Sequence, residues 1–205
     1  MTWYADEILL RATDGVLARI RADVALGRFA YHVPNLTDFT WHSPSHYHEL
    51  PEGGLLVVRP VGRPASHQRW YGETVLDWSS LKPKGQTEGV QLASDADERL
   101  RAVLEDEDVP PNSFRAYLSE LALQLRVPLM YYSCSMWGGD VDSEYCLVYE
   151  ANEALHVTDS TTSQTEPRGI DSLRAGLRCI GADIPSPFFL LHTRTFPWHD
   201  YRLLK

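Results

Sequence analysis

His32, His42, His46 and His48 crowd one short stretch of the chain, residues 28–54, among Tyr31, Phe39, Trp41 and Tyr47. Imidazole is the commonest side-chain ligand for transition metals, and the His46-x-His48 spacing puts both rings on one side of an extended segment. With His42, and with Glu49 as a further ligand, the pair could complete a zinc or iron site, and the chain would then be a small metal-dependent enzyme. Against this, the spacing follows no strong metal signature. Pro34, Pro44 and Pro51 make the segment irregular. Histidines in a loop that packs aromatics commonly serve as hydrogen-bonding groups. The packing role is the first expectation, and a metal set of His42, His46 and His48 the alternative.

Other groups that could do chemistry are weaker. Asp140, Asp142 and Glu144 alternate after Gly138 and Gly139, but a calcium loop of the EF-hand type needs a glycine sixth and a glutamate twelfth, between helices. Tyr145 stands sixth here, between strand-like runs, so an exposed acidic turn is expected. Cys134 and Cys146 are equidistant from Asp140, and a hairpin centred there would bring their sulfurs opposite each other. In a reducing compartment they would stay thiols. A Cys-His nucleophile using His156 or His192 has no supporting pattern. His199 and Asp200 lie near the end without a Gly-x-Ser-x-Gly elbow to hold a serine. Neither a P-loop nor Gly-x-Gly-x-x-Gly occurs. No catalytic residue and no cofactor is assigned.

Charge is the clearer signal. Nineteen Lys and Arg against twenty-eight Asp and Glu leave a net charge of -9, which repels phosphate backbones and anionic lipid heads and attracts basic partners. Neither nucleic acid nor membrane is expected as a partner. The run Glu105, Asp106, Glu107 and Asp108 would sit at the C-terminal end of a helix. There it opposes the helix dipole at a cost of a few tenths to about 1 kcal/mol per exposed carboxylate. Local stability does not explain it; a solvated helix end or a face for a basic protein does. Three cysteines and a start, MTWYADEILL, without a basic segment followed by a long apolar run point to the cytoplasm. No apolar run approaches the roughly 20 residues of a membrane-spanning helix.

The elements that would position these groups centre on a hairpin over 128–150. Its arms, Leu129 to Tyr132 and Tyr145 to Tyr149, are rich in aromatic and β-branched residues. The turn between them is built on Trp137, Gly138, Gly139 and Asp140. Phe114, Tyr117, Leu118, Leu121 and Leu125 line one face of a helix before it. Apolar residues at 9, 12, 16, 20 and 24 predict an N-terminal helix over 4–26, with a break near Asp14 and an end at Gly27. Strands are expected at 55–61, 69–71, 74–78, 154–158 and 188–192. Further helices are expected after Ser94, which with Asp97 resembles a capping box, and over 170–180, closed by Gly181. The expected class is α+β: one domain of 205 residues with a mixed or mostly antiparallel sheet covered by helices. Within it the helix 4–26 and the irregular segment 28–54 precede an α+β body over 55–205.

The pieces FRAYLSELALQLRVPLMYYSCSMWGGD and EYCLVYE, and more loosely GIDSLRAGLRCIGADIPSPFFLLHTRTFPW, together resemble the immunity proteins of bacterial polymorphic toxin systems. The likeness leaves roughly the first ninety residues, with the histidine segment, outside it. It implies a cytoplasmic, non-enzymatic inhibitor that binds one cognate toxin domain and occludes its active site. The acidic balance suits a basic toxin. Glu105, Asp106, Glu107, Asp108, Trp137, Asp140, Asp142 and Glu144 are then the candidate contact residues. A structural subunit of a larger assembly is a third possibility.

Overall fold

The computed structural model describes residues 3–36, 48–64, 74–85, 108–137, 140–150, 157–162, 170–184 and 189–204. Its centre is strand β1, Trp3–Arg11. Here the sequence expectation of a helix over 4–26 is corrected. Ile8, Leu9 and Leu10 are consecutive and all fully buried, as suits a strand paired on both sides and covered on both faces. Residues 9 and 12 fit the helical spacing by coincidence of that run. The helix proper, α1, spans Asp14–Ala22, its first turn capped by the Thr13 hydroxyl, which accepts from the Val16 N–H. A one-turn helix, α2, follows at Val24–Gly27. Val24, placed on the apolar face by periodicity, is 77% exposed.

Strands β2 (Ala30–Val33), β3 (Leu55–Val58), β6 (Leu129–Trp137), β7 (Asp140–Tyr149) and β8 (Val157–Thr162) complete a six-stranded sheet in the order β2-β3-β1-β6-β7-β8. Every neighbouring pair is antiparallel. The segment 28–54, expected to be irregular, thus contributes an edge strand. Two short strands, β4 (Val61–Gly62) and β5 (Leu76–Asp77), pair in parallel; the turn of the expected hairpin around Gly72 lies outside the described residues.

Helices cover both faces, giving the α+β class. Toward α1 and α3 (Asn112–Leu125) the sheet turns Ile8, Leu10, Leu56, Val58, Tyr131, Tyr145 and Leu147, which pack with Phe114, Leu118 and Leu121. Toward α4 (Ile170–Cys179) it turns Leu9, Val57, Met130, Tyr132, Cys134, Cys146 and Val148. These meet Leu173, Leu177 and Ile180, and then the C-terminal residues Phe189, Leu190 and Phe196. In β1, β3, β6 and β7 the even and odd positions divide cleanly between the two cores, as the pleat requires.

The expected ends hold where glycine chemistry sets them. Gly181 has φ 85° and closes α4, with the Ala182 N–H reaching back to the Leu177 carbonyl. The C-terminal segment departs from expectation. Residues 189–192 do not form a strand; Leu190–His192 is a turn of 3-10 helix, and Trp198–Tyr201 is another. The expected strand at 69–71 and the helix after Ser94 lie outside the described residues.

Candidate functional site

The most concentrated polar group of the described core lies on the α4 side of the sheet, among residues the sequence patterns did not join. Glu7 stands between Ala5 and Leu9 on β1 and has no exposed surface. Its Oε1 accepts from Arg59 Nε at 2.8 Å, and its Oε2 lies 3.2 Å from His192 Nε2. Arg59 leaves the end of β3, and its guanidinium sits 4.5 Å from the centroid of the Trp198 ring. The His192 ring stacks on Tyr132 with centroids 5.4 Å apart and meets Phe189 edge-on at 4.6 Å. Tyr132 is also the cross-strand partner of Glu7, and its hydroxyl donates to Glu144 Oε1 at 2.8 Å. A continuous line therefore runs from Arg59 through Glu7 and His192 to Tyr132 and Glu144.

Burial pushes the Glu7 carboxyl upward, but His192 and Arg59 more than offset it and hold the group below its ordinary range. Burial, then the neighbouring Cys134 and Glu144, drive the Tyr132 phenol well above its usual value. Tyr132 thus stays protonated and donates. Both Glu7 oxygens being engaged, the carboxylate is not a free base. What this arrangement does is fix the C-terminal segment across the sheet. No motif could reveal it, since the partners of Glu7 come 52 and 185 residues later in the chain.

The candidate contact residues do not gather into one described surface. Glu144 is 2% exposed, which corrects its place on an acidic face. In the register it opposes Cys134, on the side covered by α4, and it serves the internal hydrogen bond with Tyr132. Pairing shifts by one residue in β7 between Val141 and Ser143, so the alternation of Asp140, Asp142 and Glu144 does not run through as one strand register. Trp137 pairs with Asp140 at the end of the hairpin. Asp108 is half-exposed and lies 3.7 Å from Arg63. Glu105, Asp106 and Glu107 lie outside the described residues.

Of the histidine set, His42 and His46 also lie outside them. His48 Nε2 accepts the Leu190 backbone N–H at 2.8 Å, and its ring stacks on Phe189. That nitrogen is committed to the backbone and not open to a metal. Among the described residues, no group of three or more His, Cys, Asp and Glu could hold a metal ion. The cysteine pairing is also corrected: Cys134 faces Glu144, and Cys146 faces Tyr132. Cys134 and Cys146 are buried thiols, and burial raises the Cys146 pKa strongly.

On the opposite face, a shallow depression between α1 and α3 is bordered by Arg19, Asp23, Lys84, Tyr117, Glu120 and Gln124. Glu120 accepts from the backbone N–H groups of Lys84 and Gly85 at 2.8 and 3.2 Å. It ties a loop to α3. No described helix is long and apolar enough to cross a membrane. Comparison with protein-family models, curated proteins and solved structures gives no match.

Proposed function

We propose that this protein is an immunity-type binding protein, acting in the cytoplasm, that neutralises a cognate basic toxin domain by occluding it. The observation that carries the reading is how the carboxylates divide. Among the described residues only Glu7 and Glu144 are buried acids, and each is held by internal partners. The other carboxylates whose burial is described are partly or fully exposed, where a negative surplus favours fast and selective association with a basic protein. The buried acids of the described core build the fold.

Two contact points are proposed, the acidic stretch ending at Asp108 and the distal end of the β6–β7 hairpin at Trp137, Asp140 and Asp142. Aromatic residues at such an end suit the role of interface anchor. The test is co-expression with the variable C-terminal domain of any large secreted protein encoded beside this gene. Co-purification as a stoichiometric complex, with loss of that domain's toxicity, is the expected result. A toxin domain that stays active and separate at micromolar concentrations overturns the reading.

A further inference from the structure

We infer that Arg59, with the aromatic wall of Trp198 and Tyr31 and the adjacent Arg202, forms a binding site for a carboxylate of an acidic peptide segment. The inference is independent of the toxin-binding reading, since it concerns a different face and an opposite charge. Arg59 is immobilised twice: its Nε donates to the buried Glu7, and its flat face lies over the Trp198 ring. Among the described residues neither of its terminal nitrogens has a protein partner, and the side chain is 21% exposed. A guanidinium so held keeps its two NH2 groups in a fixed outward fork, the geometry that grips an oxyanion through two parallel hydrogen bonds. The usual entropy cost of ordering an arginine on binding has already been met by the fold.

The surroundings suit a peptide carboxylate. Trp198 is buttressed edge-on by Tyr31 at 5.1 Å and by Phe196 at 4.7 Å, and Phe196 stacks on Tyr201. Tyr31, Trp198 and Tyr201 are half-buried, so their remaining surface offers a flat apolar wall for the stem of a glutamate and the peptide around it. Arg202 is exposed and is joined to Tyr31 by a β-bridge, which adds a second cation beside the wall. The carboxylate that neutralises Arg59 lies beneath it, fully buried, and does not face the ligand. A phosphate dianion would call for more donors than one fork supplies.

The experiment is fluorescence anisotropy of a fluorescein-labelled hexaglutamate peptide titrated with the full chain at low ionic strength, with inorganic phosphate as a second probe. A saturable rise is expected. Arg59→Lys, which keeps the charge beside Glu7 and loses the fork, should weaken binding roughly tenfold. Arg202→Ala, at an exposed position, should weaken it about threefold with an unchanged melting temperature. Should Arg59→Lys melt early, Arg202→Ala and its salt dependence decide. No saturable rise with the wild type, or equal binding by both variants, overturns the proposal. Binding of phosphate without binding of the peptide overturns the carboxylate assignment.

Discussion

Glu7 Oε1 and Arg59 Nε stand 2.8 Å apart, the first with no solvent exposure and the second reaching the surface beside Trp198. A buried carboxylate left without its cation is far more costly than the intact pair is stabilising. Arg59→Ala should therefore destabilise the fold by about 3–5 kcal/mol in urea denaturation, because Glu7 loses one of its two charged partners. A loss within 1 kcal/mol would mean that the pair is not closed in solution.

The same group predicts a pH dependence. The folded Glu7 carboxyl is held below its ordinary value of about 4.5 by His192 and Arg59, against its burial. A depressed folded pKa gives stability that is fully present above the unfolded value and is lost as pH falls through the folded one. Wild-type unfolding free energy should decline on acidification below about 4.5, and the Glu7→Gln variant, already less stable at neutral pH, should show a shallower decline over that window. Parallel curves for the two proteins would remove Glu7 from the acid response.

Tyr132→Phe tests the other end of the line. The phenol is kept protonated by burial and donates to Glu144, which is itself enclosed. Removing one donor from a buried carboxylate should cost about 1–3 kcal/mol. The His192 ring would still have an aromatic face to stack on, so the loss should be separable from packing. Thermal melts of Tyr132→Phe and Tyr132→Leu, with Leu the worse of the two, would establish this.

The hairpin over 128–150 and the helix before it were legible because their signals are local. Gly138 and Gly139 lie between the paired Trp137 and Asp140, and Phe114, Leu118 and Leu121 recur at helical spacing. The N-terminus was not legible, since Ile8, Leu9 and Leu10 form a run that helix and buried strand share, and only burial on both faces separates the two. Glu144 looked like part of an acidic turn, yet a strand that enters a covered sheet carries its polar residues inside with it. The pairing of Glu7 with Arg59 and His192 is set by topology, which places β1 beside both β3 and β6. Spacing along the chain carries no trace of that.

Gly176 on α4 makes a prediction of its own. A Cβ there would collide with Cys146 Sγ and with the Met130 side chain on the sheet below. The bare backbone thus lets the helix settle closely onto β6 and β7. Gly176→Ala should destabilise by about 1–3 kcal/mol through overpacking, in spite of alanine's better helix propensity. Pairing it with Cys146→Ala should recover part of the loss, and a double-mutant cycle of denaturation energies would reveal the coupling. Strict additivity of the two substitutions would mean that the helix does not rest on that sulfur.

Reversal of the acidic stretch addresses the partner directly. Changing Glu105, Asp106, Glu107 and Asp108 together to lysine replaces four negative charges by four positive ones on the side from which a basic domain is proposed to approach. Asp108 also lies 3.7 Å from Arg63 across a half-exposed pair, a contact worth about 0–1 kcal/mol, so folding should be largely unaffected. The association rate with a cognate basic toxin domain, measured by stopped-flow at low salt, should fall by at least tenfold, and the difference from wild type should shrink as ionic strength rises toward the screening regime. The dissociation rate should change less, because rim charges act mainly on encounter. An unchanged on-rate at low salt would place the contact elsewhere on the molecule, and a parallel Trp137→Ala measurement of the off-rate would then show whether the hairpin end alone carries it.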